Sequence, residues 1–526
     1  MNEFAIPISR WKTMTEEQAL DEDWDMIPTL TAYSKTQSFC NKLEDYRPQL
    51  ERLISRHLGI PPSEFVLLGQ EHWVWGSFNI CLPIDIKSTL VTQSLPRQAI
   101  LRFPLPFRCG EDYSPGNVEE KLRCEAATYI WLQRKCPSIP TPKLLAVGFP
   151  SGESFTAIEN ETFWHKVLWQ MQSCFAWLRG EQLARFYVHD REDGLSDSGY
   201  LLLEYVMNGD PLSSSWKKHR HDGGRCKNLF RSLSKILLDL MNVPLPRIGS
   251  WRMDGRGIIS LTNRPLLDIT MLWNRHRIPS GIPRLTCGMK DLTYVSADSF
   301  VQDLLAYQDL RLRHQPNSIL GRPDGIFQLS ALTALRALLP KFWTRSLRDG
   351  PFVLTLPDLH QSNIFVDEEW NIVGVIDFEF APVQPQQMIG VPHWLSGKSI
   401  DELEGSALDK YKELHDQFIT VLEEEETNRG QGHAFSDRLK EDWQTGRLWY
   451  NAALRSSNAF PLVFENNLQP RFFPTFNPDV EGIALSRLWG EDHEEFIAAK
   501  LRDKANYDEH IRHLFAEAKA AHCGQR

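Results

Sequence analysis

Three residues between positions 358 and 377 have the types and the spacing that phosphoryl transfer requires. Asp358 stands five positions before Asn363, and Asn363 stands fourteen positions before Asp377. Transfer from a nucleotide needs a carboxylate that orients the attacking hydroxyl and accepts its proton. It also needs a carboxamide oxygen and a second carboxylate that hold Mg²⁺ against the phosphates. The pattern therefore predicts Asp358 as the catalytic base and Asn363 and Asp377 as metal ligands.

The chain between these residues predicts how they come together. Residues 364–366 and 372–376 are apolar runs separated by a polar turn, which is typical of a hairpin. Asp358 and Asn363 share the loop before the first strand, and Asp377 directly follows the second strand. We therefore expect the three oxygen-bearing side chains to meet at the open end of the hairpin. The alternative interpretation is a polar loop beside an ordinary surface hairpin.

The loop and the hairpin resemble the catalytic loop and the metal-binding Asp of the aminoglycoside phosphotransferase family. That family belongs to the protein-kinase-like superfamily and is also similar to choline kinases. Its usual loop is His-Gly-Asp-x-x-x-x-Asn, followed later by Ile-Asp-Trp-Glu. This chain has Leu-Pro-Asp at 356–358 and Ile-Asp-Phe-Glu at 376–379. Leu356 replaces a His that, in the superfamily, mainly supports the loop and the metal-binding segment.

The resemblance implies a fold class, cofactors and a reaction. We expect an α+β, two-lobed protein-kinase-like fold with a small, mainly β lobe and a larger, mainly α lobe. ATP (or GTP) and Mg²⁺ would bind between the lobes, and the acceptor would be the hydroxyl of a small molecule. The expected units are an N-terminal helical extension at 1–60, a small nucleotide-binding lobe at 61–206 with an insertion at 150–199, and a large catalytic and substrate lobe at 207–526.

Two segments of the expected small lobe contain candidate nucleotide-binding residues. Gly76 and Ser77 lie between two short strands, in a pattern that suits a hairpin over phosphates; a plain hairpin turn is the alternative. Residues 98–103 alternate as a strand that contains Arg102. In kinase-like folds a Lys on this strand contacts the phosphates and a helix Glu, so the resemblance implies this role for Arg102. A solvated strand cation is the alternative.

A helix is predicted at residues 119–133, where apolar residues recur at helical spacing. Glu125 shares a flank with the apolar stripe and matches the helix Glu of the family. Glu119 and Glu120 are expected nearer the exposed start of the helix. The alternative for Glu125 is a solvated helix acid.

The run at 200–206 predicts a buried strand that leads into a polar turn. It resembles the last small-lobe strand and the hinge of the family. The resemblance implies that backbone groups near Glu204 and Val206 meet the adenine edge. A core strand followed by a loop is the alternative.

Residues 150–199 do not fit the short connection that the family has at this place. They contain three Trp and several Phe, and 163–172 is compatible with an amphipathic helix. A packed structural insertion is the simplest interpretation. An inserted cap, a partner-binding element and a non-native stretch from an unspliced gene remain open as well.

Outside these segments, helical spacing accounts for most of the chain. Short strands are predicted at 248–251 and 257–261, and residues 384–387 and 392–395 are expected on the substrate side. The predicted helices cover residues 47–58, 226–241, 301–307, 326–343, 400–426, 437–454 and 483–515.

Composition narrows the class of protein. The 526 residues include 42% hydrophobic ones, ample for a core, and their formal net charge of −10 disfavours nucleic-acid and anionic-membrane binding. Nine scattered cysteines without a C-x2-C pair indicate neither a zinc site nor a disulfide framework and fit a reducing compartment. No apolar run approaches transmembrane length, and the N-terminus lacks a signal pattern. We therefore expect a cytoplasmic protein with no nucleic-acid or membrane partner; the oligomeric state stays open.

Two rival functions remain at the level of sequence. Leu356 and Arg102 depart from the family pattern, which is compatible with a non-catalytic, kinase-like protein that binds a nucleotide or another ligand. A protein kinase is the weaker rival, because the chain lacks the G-x-G-x-x-G, D-F-G and A-P-E segments.

Overall fold

The computed structural model describes residues 4–87, 95–160, 163–179, 186–189, 198–267, 290–343, 345–456 and 459–524. The predicted insertion therefore lies partly outside the described residues. Among those described, no helix is both long and apolar enough to cross a bilayer. The eight cysteines within these ranges are free thiols.

The N-terminal segment forms a small hairpin before its helices. Its elements are β1 (Ala5–Pro7), β2 (Thr13–Thr15), α1 (Glu16–Asp21), α2 (Ile27–Asp45) and α3 (Arg47–Leu58). Thr15 and Gln18 form a capping box that starts α1. The prediction of helices alone is wrong for β1 and β2, because their three-residue alternation is too short to detect. The helix predicted at 47–58 is confirmed as α3, which ends at Gly59 in the left-handed conformation with φ of 67°.

The small lobe is built on one antiparallel sheet. Its elements are β3 (Phe65–Leu67), β4 (Val74–Trp75), β5 (Asn79–Ile86), β6 (Gln98–Pro104), α4 (Asn117–Lys135), β7 (Leu144–Gly148), β8 (Ser154–Ala157), α5 (Phe163–Leu178), β9 (Phe186–His189) and β10 (Tyr200–Glu204). The strand order is β3-β5-β6-β10-β7-β8-β9, with β4 beside β5. Arg102 on β6 lies opposite Cys81 on β5 and Leu201 on β10, so it projects from the middle of the sheet.

The insertion adds two strands to the sheet edge and one helix. The helix predicted at 163–172 is confirmed and extends to residue 178 as α5. Several of its large apolar side chains are exposed, Trp164 by 74% and Trp177 by 75%. For α5 this exposure disagrees with a packed structural insertion, whereas β8 is buried in the sheet.

The large lobe is mainly helical. It contains β11 (Asp210–Pro211), α6 (Leu212–His219), α7 (Gly223–Met241), β12 (Ser250–Met253), β13 (Ile259–Asn263), α8 (Ala297–His314), α9 (Arg322–Phe342), β14 (Phe352–Leu354), β15 (Ile364–Val366), β16 (Ile372–Val375), β17 (Val383–Pro385), α10 (Gly405–Asn428), α11 (Ala434–Thr445), α12 (Arg447–Arg455), α13 (Phe460–Val463), α14 (Gln469–Phe472), α15 (Ile483–Trp489) and α16 (His493–Gly524). The expected α+β, two-lobed class is thereby confirmed.

Two helices that were predicted as continuous are each divided in two. Residues 437–454 split into α11 and α12 at Gly446, whose φ of 85° no other residue type adopts readily. Residues 483–515 split into α15 and α16 before His493. Apolar periodicity continues across both breaks, which explains why spacing alone did not reveal them.

Apolar packing connects the parts of the molecule. The largest core combines α4 and the inner face of the sheet with α7, α8, α9 and α12. A second core lies on the other face of the sheet and includes Leu50 and Ile54 of α3. A third joins Ile6 and Met14 of the first hairpin to Ile511 of α16. The N-terminal segment therefore contacts both lobes.

Candidate active site

The hairpin of β15 and β16 carries the predicted site and is held rigidly. Asp367 forms an Asx turn, in which its Oδ1 accepts hydrogen bonds from the amides of Glu369 and Asn371 at 3.0 and 2.8 Å. Trp370 in the turn has a φ of 64° and is buried. It stacks on Trp216 of α6 with ring centroids 5.5 Å apart. The hairpin is thus fixed at its closed end, and its open end positions the loop residues.

Asp358 and Asn363 are joined directly. The Nδ2 of Asn363 donates hydrogen bonds to the backbone oxygen and to Oδ2 of Asp358, at 3.0 and 3.1 Å. Asn363 is buried, whereas 41% of the Asp358 side chain is exposed. These bonds use both amide protons of Asn363, and within the described residues its Oδ1 accepts no hydrogen bond. That oxygen is therefore free to bind a cation.

Asp377 lies next to Asn363, as the hairpin predicted. The amide of Ile376 donates to the backbone oxygen of Asn363 at 3.0 Å. Asp377 itself has a φ of 70°, a left-handed conformation that Asp tolerates better than most residues. The following Phe378 packs edge-on against Tyr129 of α4 at 4.7 Å. The left-handed turn therefore directs the carboxylate and the ring toward the small lobe.

Arg102 connects the two lobes through three carboxylates. One of its amino groups donates to Glu125 of α4 at 2.6 Å, and the other donates to Asp377 at 2.5 Å. The second group also lies 3.3 Å from Glu379. Burial alone would lower the pKa of Arg102, but the carboxylates, Asp377 first, raise it above its ordinary value. The buried pair disagrees with the alternatives of a solvated strand cation and a solvated helix acid.

Lys121 completes this cluster and was not anticipated. It is fully buried on α4, forms an ion pair with Glu379 and donates to Oδ1 of Asn79 at 3.0 Å. The Nδ2 of Asn79 donates to Glu379 at 3.2 Å. The spacing of Lys121 and Glu125 by four positions could have indicated a shared inner face. Nothing in the sequence indicated that Glu379, at the end of the Ile-Asp-Phe-Glu segment, pairs with Lys121.

The cluster has one more negative charge than it has cations. Glu125, Asp377 and Glu379 face only Arg102 and Lys121. Burial, with the neighbouring carboxylates, raises the pKa of Glu125 to about 7 and also raises the pKa of Glu379. Glu125 and Glu379 therefore retain their protons to a higher pH than exposed carboxylates do.

Glu120 does not lie at an exposed helix start, so that expectation is wrong. It is 2% exposed and accepts two hydrogen bonds from Arg264 at 2.9 and 3.0 Å. The Nδ2 of Asn263, the last residue of β13, donates to it at 3.0 Å. Burial would raise the pKa of Glu120, yet Arg264 lowers it below its ordinary value. The start of α4 is therefore fixed to the hairpin of β12 and β13.

His360 is a further residue that the sequence did not reveal. Its Nε2 lies 3.2 Å from Oδ1 of Asp358. The hydrogen bond to Asp358 raises the pKa of His360. A protonated His360 therefore competes with an acceptor hydroxyl for the same carboxylate.

The turn before β5 and the hinge after β10 have defined geometry. The amide of Gly76 donates to the backbone oxygen of Asn79 at 2.9 Å, and a Cβ on Gly76 would lie 3.1 Å from that oxygen. The tight turn therefore favours Gly, and the phosphate role of Gly76 and Ser77 stays a prediction.

At the hinge after β10, the backbone amide of Glu204 donates a hydrogen bond to the backbone oxygen of Lys143 at 2.9 Å, so this amide already has a partner. Contact of Glu204 or Val206 with adenine also stays a prediction.

The chemistry of the donors fits Mg²⁺. Asn363 and Asp377 supply a carboxamide oxygen and a carboxylate, the oxygen ligands that Mg²⁺ prefers. One Asp377 oxygen accepts from Arg102, and within the described ranges the other accepts no hydrogen bond. In the same part of the chain, no group of three or more His, Cys, Asp or Glu is arranged to hold a metal ion. Phosphate and water oxygens would therefore supply the remaining ligands.

A cavity of about 300 Å³ adjoins the catalytic loop. Leu356, Pro357 and Leu359, on both sides of Asp358 in sequence, line it. Parts of the two segments expected on the substrate side, 384–387 and 392–395, also line it. Leu356 therefore contributes an apolar wall in place of the family's His.

The architecture is that of protein-kinase-like proteins, with a sheet lobe, a helical lobe and a carboxylate-bearing loop between them. Residues 89–386, more than half of the chain, match the model of the phosphotransferase enzyme family (APH), and the chain belongs to that family. The prediction from the sequence, that the chain resembles the aminoglycoside phosphotransferase family, is thereby confirmed.

One curated relative is similar over a short segment. It is the protein called Clavilactone A biosynthesis cluster protein Y, from Ampulloclitocybe clavipes, which is 42% identical over 81 residues. This segment covers 14% of the present chain and 20% of that protein. The likeness is therefore local.

Proposed function

We propose that the protein transfers the γ-phosphoryl group of ATP or GTP to the hydroxyl of a small molecule, with Mg²⁺. The observation that carries the proposal is the hydrogen-bonded pair of Asp358 and Asn363, with Asp377 beside it. In this arrangement the partly exposed carboxylate of Asp358 lies close to Asn363 and Asp377. Each of these two residues has a side-chain oxygen that accepts no hydrogen bond within the described residues.

Each residue has a distinct role in the proposed reaction. Asp358 orients the acceptor hydroxyl and accepts its proton, with its own rotamer fixed by Asn363. Asn363 and Asp377 would hold Mg²⁺, which would neutralise charge on the phosphates. Arg102 provides a fixed positive charge near the phosphates, and Glu125 keeps that side chain in place.

The size of the cavity beside the loop favours a small acceptor. Its volume of about 300 Å³ lies at the lower end for small-molecule sites. The name of the relative, which refers to a biosynthesis cluster, agrees with a small-molecule acceptor.

Asp358→Asn tests the proposal, because it keeps the shape and removes the base. We expect a loss of transfer of at least ~10²-fold, in line with the contribution of a positioned base, and nearly unchanged nucleotide affinity. The assay measures ADP formation with a library of hydroxyl compounds, and calorimetry measures nucleotide binding. Glu368→Gln, an exposed carboxylate in the same hairpin, is the matched control. Equal turnover of Asp358→Asn and the wild type would remove Asp358 from the mechanism.

A second candidate function is a non-catalytic, kinase-like protein that binds a nucleotide or another ligand. The ion pair of Arg102 with Asp377 favours it, because this pair occupies an oxygen of a proposed metal ligand. Mg²⁺-dependent nucleotide turnover separates the two functions. Nucleotide binding without turnover, with every acceptor in the library, would favour the second.

A further inference from the structure

The cavity beside the catalytic loop has an apolar wall with few free polar groups. Three of its polar side chains are used by the protein itself. Thr355 donates to the backbone oxygen of Pro382 at 2.8 Å, Tyr411 donates to Val391 at 2.7 Å, and Trp394 donates to Leu359 at 2.6 Å. These groups stabilise the wall and are poor candidates for ligand recognition.

Arg455 is one cavity side chain that is not used in this way. It is the last residue of α12 and lines the cavity. Within the described part of the chain it has neither an ion pair nor a hydrogen bond. Its side chain is exposed, yet surrounding protein lowers its pKa by desolvation. Both facts fit a guanidinium that stands in a concave site, where water reaches it while protein encloses it.

Among the described residues, no carboxylate forms an ion pair with Arg455. None of the described lining residues is an Asp or a Glu. His393 also lines the cavity, and burial, with Arg455 nearby, lowers its pKa to about 4. His393 is therefore neutral near pH 7 and does not add a second positive charge. The site presents one cation among apolar walls, which is complementary to a single negative charge on an apolar molecule.

Building on the function proposed above, we propose that the acceptor is an apolar hydroxy acid, whose carboxylate pairs with Arg455 while its hydroxyl reaches Asp358. A carboxylate matches the planar guanidinium fork with two parallel hydrogen bonds. A single Arg favours a monoanion over a phosphate dianion. Polycationic amino sugars would place their charges against Arg455, so we do not expect them to bind.

Binding of matched probes in the absence of nucleotide tests this assignment. The probes are ω-hydroxy alkanoic acids of medium chain length, the diols of equal length and the corresponding amino alcohols. We expect the best acid to bind at least ~10-fold more tightly than its diol, since the charged pair is partly desolvated, and the amino alcohol to bind least. Calorimetry on the full chain measures all three.

Variants of Arg455 identify the origin of the preference. Arg455→Met should abolish the preference for acid over diol, and Arg455→Lys should keep part of it. Arg502→Met, at an exposed position on α16, is the control and should bind as the wild type does. Thermal unfolding checks that each variant is folded. If Arg455→Met does not fold, the comparison of acids with diols in the wild type and in Arg455→Lys still tests whether Arg455 causes the preference for acids.

Two results would overturn the inference: equal binding of acids and diols by the wild type, or an unchanged preference in Arg455→Met. The proposed function fails separately. Acid-selective binding that depends on Arg455, without any phosphoryl transfer from Mg²⁺ and nucleotide, would refute the transferase proposal alone. Efficient transfer to diols with no preference for acids would refute the role of Arg455 alone.

Discussion

Arg102 makes contacts that a lysine at the same position could not make together. Its planar fork reaches Glu125 of α4 and Asp377 of the hairpin from two different nitrogens. A lysine ammonium is a compact charge without a planar fork of donors, so it would not hold both carboxylates in defined directions. The helix carboxylate and the proposed metal ligand are thus coupled through one side chain.

Substitution of Arg102 tests whether this coupling serves the nucleotide phosphates. Arg102→Ala should weaken ATP binding and leave adenosine binding almost unchanged, because adenosine has no phosphates. Arg102→Lys should restore part of the affinity by returning the charge. Glu125→Gln should act in the same direction but less strongly. Calorimetric titrations with both ligands measure these effects, and equal weakening of ATP and adenosine would indicate a structural role.

A pH effect follows from the contact between His360 and Asp358. Because the pKa of His360 is raised, its proton persists to a higher pH than for an ordinary His, and the charged ring holds the Asp358 carboxylate. Transfer should therefore increase as pH rises through that pKa and frees Asp358. His360→Gln should flatten the kcat/KM profile between about pH 6 and 8, where His titrates. An identical profile in the variant would assign the titration to another group.

At the scale of elements, α4 is fixed from both sides. Its inner face contacts the sheet cluster through Glu125, while Glu120 at its start is held by Arg264. Trp131 farther along lies 5.9 Å from Trp251 of β12. The large lobe thus determines where the small-lobe helix sits.

Arg264→Met should destabilise the protein by about 3–5 kcal/mol, because it leaves Glu120 charged and buried without its partner. The double variant Glu120→Leu with Arg264→Met should recover much of the loss, since it removes the stranded charge. Urea unfolding measures both. A single variant as stable as the wild type would mean that Glu120 does not anchor α4.

Sequence reasoning identified this helix and its inward Glu125 but not its anchors. Apolar spacing and motif order are local signals, and they were enough to predict that Asp358, Asn363 and Asp377 lie near one another and that Arg102 lies on a strand, while the roles of these residues stay predictions. Arg264 lies 144 positions from Glu120. The residues around Arg264 and those around Glu120 give no sign that the two side chains pair. The same limit applies to Arg455, whose significance depends on cavity walls drawn from segments spread between residues 237 and 456.

At the scale of the whole molecule, the N-terminal segment links the two lobes. Its first hairpin and α1 pack on α16, and α3 packs on the small-lobe sheet. No periodicity in the sequence indicates this pairing, because the contact joins the two most distant parts of the chain. The link adds to the contacts between the lobes that Arg102 and Glu120 make.

Ile511→Ala tests how much this packing contributes. Ile511 is fully buried in the cluster on α16, so its truncation should lower the free energy of unfolding by about 2–5 kcal/mol. Glu509→Ala, an exposed neighbour, should change it by less than ~0.5 kcal/mol. Denaturant titration compares the two variants, and similar effects would contradict the packing role.

During synthesis on the ribosome, the first hairpin lacks its packing partner on α16 until that helix emerges. The amide of Met26 donates to the hydroxyl of Tyr507, 481 positions later. At about 5–20 residues per second, that separation corresponds to roughly 25–100 s of translation. Over this interval Ile6 and Met14 lack the apolar cover that Ile511 and Phe515 of α16 supply. We therefore expect newly made chains to engage a holding chaperone through the first hairpin and to release it only after α16 has emerged.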